Sequence, residues 1–264
     1  MEIKFKNVVY NDYNLDFTID NKNITGITGT GKTLLLNLIG MNHKIDNGEI
    51  YINNKKLKKE NINEYRRKVS LIEFTFKYYL NINTVEEYME YIIRENKLII
   101  KDPNKKINDA IKIVGLEEFY LKKNINKLSK SELKLLQIAT GLLSNPDIIL
   151  LDEPFIELDT KEEKKLYMLL TKLKEHYNKA VVIASINSDK LYKYTTKMLF
   201  IKNKKILLEG NTEELYQRVD FLKRNKFEIP DIVLFTYLVR KNKKVNLDYH
   251  KDIRDIIKDI YKHV

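Results

Sequence analysis

Apolar and polar residues alternate in two short stretches at the start of the chain, Ile3 to Tyr10 and Leu15 to Ile19, with the turn-prone pair Asn11-Asp12 between them. That period of two predicts an antiparallel pair of strands. Ile24 and Ile27 then flank a glycine-rich turn, and Thr33 to Ile39 is apolar on nearly all sides, as a helix buried within a sheet protein is. Gly48 to Lys55 reads as a strand ending in a turn. From about Thr84 to Thr140 the period becomes helical, with Val85, Tyr88, Met89 and Ile92 on one face, which predicts a helical insertion. Strand signals return as the continuous apolar runs Ile148 to Leu151 and Ala180 to Ala184, of the kind found in parallel strands covered on both faces. Between them Leu166, Leu169, Leu170 and Leu173 form a helical stripe. Met198 to Ile201 and Ile206 to Glu209, joined by Lys202 to Lys205, predict a hairpin, and the chain beyond Thr212 is a charged helical pattern broken at Pro230.

Composition narrows the class. The 264 residues hold 43% hydrophobic positions, enough to bury a core, and no apolar run approaches the roughly 20 residues needed to span a bilayer. The first residues, Met1-Glu2-Ile3-Lys4-Phe5, interleave acid and base, unlike a signal peptide. Without cysteine, a disulfide framework, a thiolate zinc site and a thiol nucleophile are all excluded, which accords with a reducing cytosol. The formal charge of +11 would suit a nucleic-acid partner. Much of the lysine, however, stands beside glutamate, as in Lys161-Glu162-Glu163-Lys164-Lys165, so a compositional bias accounts for the excess and no nucleic acid is expected.

The chemistry concentrates in two places. Gly26-Ile27-Thr28-Gly29-Thr30-Gly31-Lys32-Thr33 fits the pattern G-x-x-x-x-G-K-[ST] and stands between a predicted strand and a predicted helix. Its glycines let backbone N–H groups approach phosphates, the helix aims its positive end at them, Lys32 reaches the β and γ phosphates and Thr33 ligates Mg²⁺. Ile148 to Leu151 ends in Asp152-Glu153, where burying two carboxylates requires partners. A Mg²⁺ ion bound by Asp152, and a water polarised by Glu153 for attack on the γ-phosphate, supply those partners.

Further landmarks follow in order, and with them the sequence resembles the ATP-binding subunit of an ABC transporter. Leu128-Ser129-Lys130-Ser131-Glu132 occupies the place of the family's LSGGQ signature, Asn145-Pro146-Asp147 leads into the Asp-Glu strand, Pro154 follows it, and Glu157-Leu158-Asp159 matches the D-loop. The resemblance implies an α/β P-loop NTPase with an N-terminal antiparallel β subdomain, a parallel-sheet core, a helical insertion and a C-terminal helical extension. It divides the chain into a nucleotide-binding domain over residues 1–212, whose helical part spans about 78–147, and an extension over 213–264. It also implies a head-to-tail pair of ATPase subunits in which Ser129, Lys130, Ser131 and Glu132 meet the partner's ATP. Tyr10 or Tyr13 lies where the family stacks an aromatic ring on adenine, and Phe74 to Tyr79 where it docks on its membrane partner; core packing explains those aromatics equally well.

Three departures bear on turnover. The family's glutamine after the second strand of this region falls on Phe74, or on Glu73 if the register shifts by one, and its switch histidine falls on Ile186, with His176 displaced to before the strand. Losing one γ-phosphate donor costs about 3 to 4 kcal/mol in comparable sites. Lys130 and Ser131 replace glycines, and Glu132 a glutamine; helix capping by Ser129 or Ser131, with Glu132 in the first turn, is an alternative account of the segment.

The tail refines the resemblance. Gly210 to Leu215 followed by Phe227 to Ile232 is similar to the C-terminal extension of energy-coupling factor transporter ATPases, importers of vitamins and metal ions. Pro230 there begins a helix whose stripe is Val233, Leu234, Tyr237 and Leu238. The expected function is coupling of ATP hydrolysis to micronutrient uptake, as the weaker-hydrolysing member of an asymmetric pair or as an ATP-binding regulatory subunit. Expected partners are a second ATPase, a transmembrane coupling protein and a substrate-binding membrane subunit, which places the chain peripherally at the cytoplasmic face of the membrane. A soluble ABC ATPase acting on nucleic acid or ribosomes is the further alternative, against which stands the single phosphate loop.

Overall fold

The computed structural model describes residues 1–74, 82–243 and 246–262. The aromatics from Phe76 to Tyr79, and the start of the 78–147 helical part, lie outside the described residues. The first strands are β1 (Glu2–Tyr10) and β2 (Tyr13–Asp20), an antiparallel pair closed by Asn11 and Asp12, both at positive φ. Consecutive residues with positive φ match the right-handed twist of a two-residue hairpin, and Asn and Asp tolerate that conformation. Next come β3 (Ile24–Gly29), α1 (Lys32–Ile39), β4 (Asn47–Ile52), β5 (Lys55–Lys56), α2 (Ile62–Arg67) and β6 (Val69–Glu73). The helical insertion holds α3 (Val85–Glu95), α4 (Pro103–Ile113) and α5 (Lys130–Leu142). The chain then runs through β7 (Ile148–Asp152), α6 (Thr160–Glu175), β8 (Ala180–Ala184), α7 (Ser188–Tyr194), β9 (Lys197–Lys202) and β10 (Lys205–Asn211). It ends in α8 (Thr212–Tyr216), α9 (Val219–Arg224), α10 (Asp231–Lys243) and α11 (Ile253–Tyr261).

Among the described residues the strands join one sheet in the order β5-β4-β1-β2-β10-β9-β3-β8-β7-β6. β3, β8, β7 and β6 are mutually parallel neighbours, whereas β1, β2 and β4 are antiparallel, so the α/β architecture combines both predicted sheet types. The apolar runs follow from helices on both faces: Ile149, Leu151, Val181 and Ile183 join the core under α5, α6 and α7, while Ile148, Leu150, Ala180 and Val182 join the core around α1. Each such Ile, Leu or Val side chain buried contributes roughly 1.5–3 kcal/mol. In the insertion the buried face of α3 is Val85, Tyr88, Met89 and Ile93; Ile92, expected in that stripe, is only partly buried because Ile93 completes the same face one residue later.

The tail packs on the sheet without a break at residue 212. Thr212 is fully buried with its hydroxyl 2.9 Å from that of Thr195, and Tyr216 meets the rings of Tyr192 and Phe200 edge-on. In α10 the buried residues are Val233 and Thr236; of the expected amphipathic stripe, Val233 is buried, Leu234 and Tyr237 are half-buried and Leu238 is exposed. Thr236 tolerates burial because its hydroxyl donates to the carbonyl of Ile232 one turn back.

Candidate functional site

The Gly26 to Thr33 segment is the crossing from β3 into α1, at the carboxyl edge of the parallel strands. Gly29 (φ +105°) and Gly31 (φ +97°) have conformations that side chains rarely adopt, and a Cβ on Gly29 would stand 1.9 Å from the carbonyl oxygen of Ile201. Glycine is therefore required there on two independent grounds. Thr28 is buried at the strand end, and exposed Thr30 donates its amide to Ile201. Gly31 stands at the N-cap of α1 without a side-chain cap, and the first turn carries no acid, so amide donors and a positive helix end face outward with Lys32 among them.

The second motif converges on the first. Strand β7 lies one strand away from β3, across β8, and its last residue, Asp152, accepts a 2.7 Å hydrogen bond from the hydroxyl of Thr33 through one carboxylate oxygen. The other oxygen of Asp152 is buried with no hydrogen-bond partner. A buried, unpaired carboxylate oxygen beside a threonine hydroxyl is a donor set that suits a hard divalent cation, so these residues fit Mg²⁺. Lys32 Nζ stands 3.5 Å from Glu153 Oε1.

Glu153 is held by contacts that the sequence did not announce. Ser185 Oγ donates to Glu153 Oε2 at 2.6 Å, the amide of Ile186 donates to Oε1 at 2.8 Å, and the Glu153 amide donates to Ala184. The legible signal was the pairing of two buried runs: with Asp152 opposite Ala184 in register, the residues after each strand must meet. Ile186, where the switch histidine would fall, is 60% exposed, so its side chain is free of the core and only its backbone engages the site. Phe74, on which the family's glutamine is expected to fall unless the register shifts to Glu73, follows β6, and its ring carries the ammonium of Lys134 at 4.5 Å. The aromatic candidates separate: the Tyr10 ring stacks on His43, whereas Tyr13 lies against the loop, its hydroxyl 2.6 Å from where a Cβ on Gly31 would stand.

At the signature segment the structure shows the helix cap. Ser129 caps α5 through a reciprocal box with Glu132: Ser129 Oγ accepts from the Glu132 amide at 3.2 Å, and Glu132 Oε2 accepts from the Ser129 amide at 2.7 Å. Glu132 also takes hydrogen bonds from Tyr120 (2.6 Å) and Lys123 (3.0 Å), so it points back into its own chain. Lys130 is exposed and 3.1 Å from Glu157, whereas Ser131 is half-buried with its hydroxyl 3.2 Å from that of Ser129. Asp159 caps α6 in the same reciprocal manner with Glu162.

Partial burial opposes the charge on Glu132, but the hydrogen bonds from Tyr120, Ser129 and Lys123 outweigh it and hold its pKa at about 2. A depressed carboxylate stabilises the fold fully above its unfolded value near 4.5 and loses that contribution as pH falls toward 2. Glu132→Gln should therefore unfold earlier than the native chain at neutral pH by about 1–2 kcal/mol. The difference should narrow progressively below pH 4.5 and close as the pH falls through 2, as thermal unfolding across a pH series would read; a gap at pH 2.5 as large as that at neutral pH would contradict it.

A family model described as ABC transporter matches residues 13–156, more than half of the chain. The energy-coupling factor transporter ATP-binding protein EcfA2 of Clostridium acetobutylicum is 29% identical over 248 residues, 89% of this chain and 86% of that protein. EcfA2 of Clostridium tetani is 28% identical over 258 residues, 96% of this chain and 88% of that protein. Among solved structures, the dimeric post-hydrolysis state of the ATP-binding cassette MJ0796 bound to ADP and Pi superposes with a TM-score of 0.65 at 27% identity, covering 80% of this chain and 98% of that one. The cbiO1 protein of Clostridium perfringens, part of the ABC transporter complex cbiONQ, superposes with a TM-score of 0.71 over 89% of this chain and 98% of that one; at 22% identity it shares the fold. With its phosphate loop, its paired carboxylates and this fold, the chain belongs to the ABC transporter family as an ATP-binding cassette, most like the energy-coupling factor transporter ATPases.

Proposed function

We propose that the chain is the ATP-binding subunit of an energy-coupling factor importer, coupling MgATP binding and hydrolysis to uptake of a vitamin or metal ion. The reading is carried by the meeting of Thr33 and Asp152 beside Lys32 and Glu153, with one Asp152 carboxylate oxygen buried and without a hydrogen-bond partner. The printed names of the relatives support the branch. Residues 1–212 serve as the nucleotide-binding domain and 213–264 as the extension.

Gly26, Thr28, Gly29, Thr30 and Gly31 form the cradle of the phosphates, Lys32 supplies their counter-charge, and Thr33 with Asp152 holds Mg²⁺. Bound Mg²⁺ supplies neutralisation of phosphate charge. Glu153 orients the attacking water and accepts its proton. The signature segment Ser129, Lys130, Ser131 and Glu132 meets the nucleotide of a second ATPase subunit through Ser129 and Lys130, while Glu132, turned into its own chain, braces the segment, with Asp159 beside the shared boundary. An aromatic at Tyr10 stacks on the base, and Tyr13, which leans over the loop, is the alternative.

The same site supports slow turnover. Exposed Ile186 offers no side-chain donor, and Phe74 offers neither a metal contact nor a water contact. The chain then acts as the weaker member of an asymmetric pair, or as a subunit that binds ATP with little turnover. No described helix is long and apolar enough to cross a membrane, so transport requires a transmembrane coupling protein and a solute-binding membrane subunit, with this chain peripheral at the cytoplasmic face. Affinity purification from detergent-solubilised membranes of the host, in high salt with MgATP, should recover a second ATPase and a polytopic membrane protein. Recovery of the chain alone, or with ribosomes or DNA, would overturn transport and leave the nucleotide site standing.

A further inference from the structure

Behind the paired carboxylates lies a cavity of about 350 Å³ whose lining includes Phe74, Lys134, Gln137, Asp152, Glu153 and Glu157. Lys134 is the unexpected member. It stands in the apolar run Leu133-Lys134-Leu135-Leu136 of α5, is 8% exposed, and donates from Nζ to the carbonyl of Pro154 at 3.2 Å. Its ammonium also lies over the Phe74 ring, a favourable but modest contact. An apolar side chain of similar length would fill the same space without desolvating a charge. Burial lowers the pKa of Lys134, and the carboxylates of Glu157 and Glu153 oppose that shift.

What the lysine holds is strained. Glu153 has φ +53°, a left-handed conformation that costs a residue with a side chain of order 1 kcal/mol and persists only where the surroundings over-determine it. One side of the turn is fixed by Ala184, Ser185 and Ile186, all from the segment ending β8. From the other side comes the bond of Lys134 to the next carbonyl, from a helix whose first turn carries Ser129 and Lys130.

We propose that Lys134 is a positioning residue for Glu153: by gripping Pro154 it fixes the carboxylate's direction toward the phosphate loop and ties that direction to the signature helix. The inference rests on the role proposed for Glu153. Its function is to hold the turn while Lys32 is engaged by phosphates.

The test uses the complex purified from its own membranes, with photoreactive 8-azido-ATP read on this chain after electrophoresis, with and without vanadate. Lys134→Met should lower the rate of vanadate-dependent trapping about 10-fold, the scale of a small misplacement of a reacting group. Labelling without vanadate should keep its concentration dependence, thermal stability should hold or rise, and Lys134→Arg should restore most of the trapping. Unchanged trapping in Lys134→Met, an equal loss of labelling without vanadate, or failure of arginine to restore would each overturn the inference and leave the nucleotide site intact. No vanadate trapping on the native chain would overturn it together with hydrolysis at this site, and no labelling at all would overturn the nucleotide site itself.

Discussion

Lys32→Ala is expected to lower MgATP affinity at least 100-fold while leaving the fold in place. A unit charge about 4 Å from a phosphate oxygen, at an effective dielectric near 20, is worth roughly 4 kcal/mol, or about a thousandfold in the dissociation constant. Water filling the space left by the side chain returns part of that, hence the lower bound. The fold should survive because the side chain is partly exposed and Glu153, its partner at 3.5 Å, keeps its bonds from Ser185 and the Ile186 amide. Equilibrium titration with a fluorescent ATP analogue in Mg²⁺, alongside a thermal melt, measures both. An affinity within threefold of the native chain would defeat the proposed nucleotide site.

The features legible in the sequence are those written in consecutive residues or in one period. The phosphate loop is eight residues in a row, and its strand and helix follow from the apolar positions on either side. The runs at Ile148 and Ala180 declare parallel strands because both faces are covered, which removes polar positions from either side. Contacts between segments leave weaker traces. Ser185 reaches Glu153 across 32 residues, and only the register of β7 against β8 brings them together. Lys134 is a cation among leucines in the sequence, yet a buried lysine and a surface lysine have the same letter; its partner, the Pro154 carbonyl, has no side-chain signature. The direction of Glu132 depended on Tyr120 and Lys123, supplied by a segment whose short 3-10 turn carries no periodic signal. The burial of Thr236 in α10 is hidden for a related reason, since it turns its hydroxyl into its own helix and takes a buried position that polarity alone would deny it.

Ile186→His is expected to raise turnover at this chain's own site by about 10- to 100-fold. A single preorganised donor to developing phosphoryl charge is worth about 10²- to 10³-fold in comparable sites, and the gain should fall short of that because the Phe74 side chain supplies no polar group. Position favours the substitution: the Ile186 amide already touches Glu153 Oε1, so the residue is fixed beside the proposed base, and its side chain is 60% exposed, so no core packing is lost. Stability should change by less than about 0.5 kcal/mol, as for a surface replacement. Single-turnover phosphate release from the purified complex, with the label followed on this chain, measures the gain. The double variant Ile186→His with Glu153→Gln supplies the internal control, because a histidine that acts on the γ-phosphate has nothing to accelerate once the base is gone. A rate unchanged by histidine would mean that the loss of this donor does not limit the site. A gain that survived Glu153→Gln would place the chemistry on a group other than the one that Ser185, Ile186 and Lys32 converge upon.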